Sequence, residues 1–191
     1  MVPLQFKIEI NATAQKVYDA MLGLTNKSTY EYWVSVFNPT STYEGSWEKG
    51  SKIYFVGVDE NGKKGGMVSL IEANQPATFV SIKHYGFLDG EVEITTGELV
   101  EKWTGGHENY TFQEQEGKTI LTVDMDTVED YEDFFNTTYP KALEKLKEIE
   151  ISFIFDAYYL FDAWVHLSYY NFEIPDGTNN KEEIIKEKTI D

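Results

Sequence analysis

Between residues 51 and 126 the chain carries five strand-like runs, at about 51–58, 65–74, 77–86, 107–115 and 118–126. Turn chemistry separates neighbouring runs: Asp59-Glu60-Asn61-Gly62, Asn74-Gln75-Pro76 and Glu116-Gly117. Extended segments joined by connections this short can only fold back on themselves. They predict an antiparallel meander and not the helix-linked strands of a βαβ sheet.

The flanking segments complete the architecture. Leu4, Phe6, Ile8 and Ile10 alternate with Gln5, Lys7 and Glu9, the period of a half-buried first strand. After Asn11, the expected N-cap, the spacing shifts to Ala14, Val17, Tyr18 and Met21, one face of a short helix ending near Gly23. A second short helix is expected over Asn26 to Trp33, and Asn38-Pro39 breaks the chain after it. Beyond Asp126, Val128, Tyr131, Phe134 and Phe135 and then Ala142, Leu143, Leu146 and Ile149 form a helical stripe, with Pro140 read as a helical N1 residue. The simplest packing of these parts is α+β: a curved antiparallel sheet wrapped around a long C-terminal helix, enclosing a cavity.

Residues 1–150 are expected to form that domain, 151–174 an aromatic-rich helical extension and 175–191 a polar tail. The extension packs Phe153, Phe155, Tyr158, Tyr159, Phe161 and Trp164 into a run with no polar face, so something must cover it. A homodimer through 151–172 is expected, the alternative being a lid over the cavity. Asp156, Asp162 and His166 interrupt the run, so no membrane span is expected.

Charge narrows the partners. The formal net charge is −17, and all 16 basic residues are Lys. Polyphosphates are repelled, and the planar fork that reads phosphate and guanine is missing, so nucleic acid is not an expected partner. There is no Cys, which removes disulfides, thiolate nucleophiles and sulfur-ligated metals. Residues 1–10 show no basic segment followed by an apolar run, and a cytoplasmic location is expected.

Four blocks carry a family likeness. Tyr43-Glu44-Gly45-Ser46-Trp47-Glu48-Lys49-Gly50-Ser51 is similar to the Gly-x-Trp-x-x-Gly-Ser segment that leads into the sheet of bacterial SRPBCC (START-like) proteins. Gly66-Met67-Val68, Val80-Ser81-Ile82-Lys83-His84-Tyr85-Gly86 and Tyr139-Pro140-Lys141-Ala142-Leu143 resemble later motifs of that superfamily, in the same order. The branch is the one named for a domain resembling the activator of the 90-kilodalton heat-shock chaperone. The resemblance covers about residues 3–150 and implies a helix-grip fold with a cavity between sheet and last helix. Such folds host lipid carriers, hormone receptors and cyclases, so fold alone does not choose the function.

The candidate cavity wall is Trp33, Trp47, Phe55, Met67, His84, Trp103, Tyr110, Phe112, Phe134 and Phe135. His84 is in phase with Val80 and Ile82 on the inner face and could orient a ligand or act as a general base, but no partner for it is evident. His84, His107 and His166 lack metal-ligand spacing, and the acidic run from Asp124 to Asp133 lacks an EF-hand pattern, so no metal or other cofactor is expected. Nucleophile-elbow and phosphate-loop motifs are also missing. The reading favoured is noncatalytic binding of a small apolar ligand, His84 and Tyr110 fixing its orientation. The alternatives are a cyclase- or hydrolase-type enzyme using a cavity His, and a chaperone-associated or protein-interaction domain.

Overall fold

A computed structural model describes the backbone of residues 1–170 and the side chains of residues 1–149 except Leu99. In chain order the elements are β1 (Val2–Ile10), α1 (Ala14–Leu22), α2 (Lys27–Val34), β2 (Thr42–Gly45), β3 (Lys52–Val58), β4 (Lys64–Gln75), β5 (Phe79–Asp89), β6 (Val92–Ile94), α3 (Glu98–Trp103), β7 (His107–Gln115), β8 (Lys118–Thr127) and α4 (Glu129–Tyr170). The eight strands form one antiparallel sheet in the order β1-β8-β7-β5-β4-β3-β2, with β6 pairing the far end of β5. The architecture is the α+β helix grip read from the sequence.

β1 and β2 lie at opposite edges of the sheet, so α1 and α2 carry the chain from one edge to the other. Their inner faces bury Val17, Met21, Leu22, Tyr30 and Trp33 against Ile71, Phe112 and Leu121 in one continuous core. α4 adds Tyr139, Ala142, Leu143 and Leu146 to it. Each fully buried aliphatic side chain there contributes about 1.5–3 kcal/mol, before the entropy cost of ordering it.

Local chemistry explains the boundaries. Asn26 caps α2 by accepting the Ser28 N–H, and Gly23 ends α1 in the left-handed conformation, φ 66°. Glu116 and Gly117 both have positive φ, the requirement of the tight turn that joins β7 to β8. The carboxylate of Asp59 accepts the N–H groups of Asn61 and Lys63 and closes the β3–β4 turn. Gly66 is fixed by a close approach: a Cβ there would lie 2.0 Å from the Phe55 carbonyl oxygen.

Some expectations fail for identifiable reasons. The N-cap of α1 is Thr13, which makes no side-chain cap bond, and not Asn11. Pro140 lies inside α4, eleven residues after its start at Glu129, so the helix forgoes the hydrogen bond that an N–H at 140 would make. β2, β6 and α3 are too short for a readable period.

One irregularity decides which side chains face inward. Val68 pairs with Gly86 while Ser69 pairs with His84, leaving Tyr85 as an extra residue in β5. Up to the bulge Val80, Ile82 and His84 face the core. Past it Phe87, opposite Met67, takes the inner side, while Val68 and Leu88 join Val56 in a separate cluster on the outer face, packed by Tyr54 and Tyr85. The chain divides into two units, residues 1–153 and 154–191. The described part of the second, 154–170, is helical. The side chains through which a homodimer was expected, in 151–172, lie outside the described residues. Among the described residues no helix is long and apolar enough to cross a membrane.

Candidate functional site

β7 alternates Glu108, Tyr110 and Phe112 toward the interior, with Glu108 opposite Ile82 and Tyr110 opposite Val80 on β5. The Glu108 carboxylate is the centre of a polar cluster. Its Oε1 accepts the hydroxyl of Tyr110 at 2.7 Å and that of Tyr139, which reaches it from α4. Its Oε2 lies 3.6 Å from His84 Nε2. On the other side of the ring, His84 Nδ1 is 2.8 Å from Ser69 Oγ. A proton on Nε2 faces the carboxylate and leaves Nδ1 to accept from the Ser69 hydroxyl.

Only 12% of the His84 side chain and 18% of the Glu108 side chain are exposed, and Ser69 is fully buried. Placing a carboxylate in such surroundings costs several kcal/mol unless it is paired and hydrogen-bonded. Burial pushes the Glu108 carboxyl up, but His84, Tyr139 and Tyr110 together hold it below the usual carboxylate range. Tyr110 and Tyr139 are driven well above the ordinary phenol value, first by burial and then by the charge on Glu108, so they stay protonated donors. Tyr30 is raised by the same two causes.

An aromatic wall adjoins the cluster. Tyr30 from α2, Tyr43 from β2, Trp47 from the β2–β3 loop and Phe55 from β3 pack ring to ring at 5.0–6.4 Å, and Phe55 meets the His84 ring at 6.2 Å. Trp47 is held from behind: Asn74 donates to its carbonyl at 2.8 Å and accepts from Tyr18. Its own Nε1 is buried with no partner among the described residues, in a side chain only 5% exposed.

The structure thus brings Trp47, Phe55, His84 and Tyr110 together. Trp33 and Phe112 lie in the core beneath the helices, where Trp33 Nε1 donates to the Met21 carbonyl and Phe112 meets Tyr18 edge to face. Met67 is half-buried in register between Phe55 and Phe87. Trp103, Phe134 and Phe135 belong to a second run of rings, Phe87–Trp103–Tyr131–Phe134–Phe135–Phe37, which reaches the site through Phe37, where that ring touches Tyr139 and, by way of Trp33, Tyr30. Tyr131 and Phe134 are exposed.

Four participants escape the sequence reading: Glu108, Ser69, Tyr30 and Tyr139. Glu108 had a signal, since it keeps phase with Tyr110 and Phe112 and so puts a carboxylate on an inner face. Ser69 had none, because its pairing with His84 depends on the bulge. His107 faces outward and pairs with Glu72 at 2.9 Å, beside Lys83. Among the described residues no three His, Asp or Glu side chains gather as metal ligands. Two clefts, of about 430 and 280 Å³, lie elsewhere: one along Ile94, Gly97 and Lys102, the other on the outer sheet face at Gln5, Asn109 and Asp124.

No protein family and no curated protein sequence matches the chain. Solved structures do. The Aha1 dimer from Colwellia psychrerythraea is 23% identical with a TM-score of 0.53, the match covering 78% of this chain and 95% of that one. A protein from Cytophaga hutchinsonii is 17% identical with a TM-score of 0.58, over 81% and 97%. One from Arthrobacter aurescens is 16% identical, also with 0.58, over 78% and 86%. At these identities the likeness is one of fold, and the chain has the START-like helix-grip fold that these proteins share.

Proposed function

We propose that this chain is a noncatalytic binding protein whose interior holds a small, mainly apolar molecule against Tyr30, Trp47 and Phe55, with its polar group read by Glu108 and His84. The observation that carries the reading is the largely buried carboxylate of Glu108, only 18% exposed. An interior needed only for stability has no use for an ionised group so largely removed from water, since an apolar replacement of similar volume is often as stable or more so. A few convergent polar groups in an aromatic surround are what a site for a small apolar molecule requires. The rings are in mutual contact, so the ligand enters by displacing them, Phe55 and Tyr43 being only partly buried.

A hydrolase or cyclase reading draws on the Ser69–His84–Glu108 chain of contacts, which supplies the acid–base partner that His84 needs. Against it, Ser69 has no exposed surface from which to attack a substrate. The proposal includes a cytoplasmic location and a homodimer joined through 151–172. Its support is the covering that an apolar segment needs and the dimeric Aha1 neighbour.

Native mass spectrometry of the gently purified full-length protein tests this. A stoichiometric apolar adduct on a dimer is expected. A protein that carries nothing, and takes up nothing from an extract of apolar metabolites, overturns the binding reading. A monomer overturns the dimer.

A further inference from the structure

The two oxygens of Glu108 are used unequally. Oε1 already accepts two tyrosine hydroxyls. Among the described residues the polar neighbour of Oε2 is His84 Nε2, at 3.6 Å, longer than a hydrogen bond. A third atom at the apex of that pair could accept from Nε2–H and donate to Oε2, so the carboxylate has capacity left for a donor. Trp47 Nε1 is a buried donor with no acceptor among the described residues. The fold is able to satisfy a buried indole, as Trp33 and the Met21 carbonyl demonstrate. Phe55 and Tyr30 join the two places, Phe55 lying against both Trp47 and His84.

Charge adds a third constraint. No Lys forms an ion pair with Glu108 among the described residues, so the one cationic group beside it is the imidazole of His84, which Glu108 already faces, and no second cation is in place for a second negative charge. The net charge of −17 acts in the same direction. An anion beside a largely buried carboxylate is repelled strongly because little water screens the pair.

We infer that the ligand of this site is an uncharged amphiphile with one hydrogen-bond donor for Glu108 Oε2 and one acceptor for Trp47 Nε1, and that carboxylates of the same shape, fatty acids included, are refused. This rests on the binding reading above and narrows it to a ligand class. The selectivity is a difference between affinities, produced by the repulsive element as much as by the attractive ones.

Naphthamide and naphthoate share a shape and differ in charge and in the donor. Each is titrated into the ¹⁵N-labelled full-length protein, following the indole N–H signals of the four Trp, with that of Trp47 assigned by its loss in Trp47→Phe. The expected result is that naphthamide binds about tenfold or more tightly than naphthoate and moves the Trp47 signal most. Naphthoate binding as tightly as the amide, or an unmoved Trp47 signal on saturation with the amide, overturns this inference and leaves the binding reading standing. Binding of neither probe overturns both. In Glu108→Gln the preference is expected to fall to within about threefold, because the amide side chain repels no anion. A folded Glu108→Gln protein that keeps the full preference also overturns the inference. The wild-type comparison decides the matter by itself if that variant does not fold.

Discussion

Beneath α1 and α2 the interior is apolar, and the polar atoms of its large side chains are paired: Trp33 donates to Met21, Tyr18 to Asn74. Between β5, β7 and the first turns of α4 the same core holds a carboxylate, two tyrosines that donate to it and a histidine. Both regions are buried by the same sheet, yet unused hydrogen-bonding capacity is found in the second, at Glu108 Oε2, and in the aromatic wall that adjoins it, at Trp47 Nε1. The first is arranged for stability. The second carries a cost that stability does not explain, which is where function is to be sought.

That contrast can be broken by measurement. The largest effect is expected from Trp33→Ala, which empties the satisfied region and should cost about 3–5 kcal/mol in urea unfolding. Glu108→Ala should cost less, about 2–4 kcal/mol, by stranding Tyr110 and Tyr139 without an acceptor. If Glu108→Ala proves the more damaging, the carboxylate is a structural keystone and the contrast fails. The two indoles give a finer comparison. Trp33→Phe leaves the Met21 carbonyl unpaired and should cost about 1–3 kcal/mol, whereas Trp47→Phe removes an N–H that has no partner among the described residues and should cost well under about 1 kcal/mol beyond lost packing.

The smallest effect is one of pH. The folded-state carboxyl of Glu108 titrates below its unfolded value. It therefore contributes stability that is present above the ordinary carboxylate range, about 4.3, and is lost as pH falls through the lower folded value. Glu108→Gln should flatten that part of the acid limb in a thermal unfolding series. An unchanged acid limb would mean that the charge is not held in the folded protein as described.

The order of the long elements and the approximate boundaries of the long strands were legible in the sequence because period and turn chemistry are local properties. The inward direction of His84 was legible too, for Val80 and Ile82 fix its phase. Its partners were not. Tyr139 comes from a different element, and Ser69 reaches His84 only because Tyr85 is inserted between paired residues, a register change that no periodicity announces. Glu108 was visible in outline: a lone acid in phase with Tyr110 and Phe112 conflicts with an apolar face, and such conflicts mark functional positions more often than errors.

The pairing of β1 with β8 bears on how the protein is made. Among the described residues the first strand has one sheet neighbour, Lys118–Thr127, so Val2–Ile10 leaves the ribosome more than a hundred residues ahead of its partner. At ordinary synthesis rates that is a wait of roughly 6–25 s. Throughout it, an alternating strand with Leu4, Phe6 and Ile8 on one side lacks its native partner edge. Completion of the sheet is then a late, long-range closure, and the nascent chain is most vulnerable to pairing with other chains just before β8 emerges.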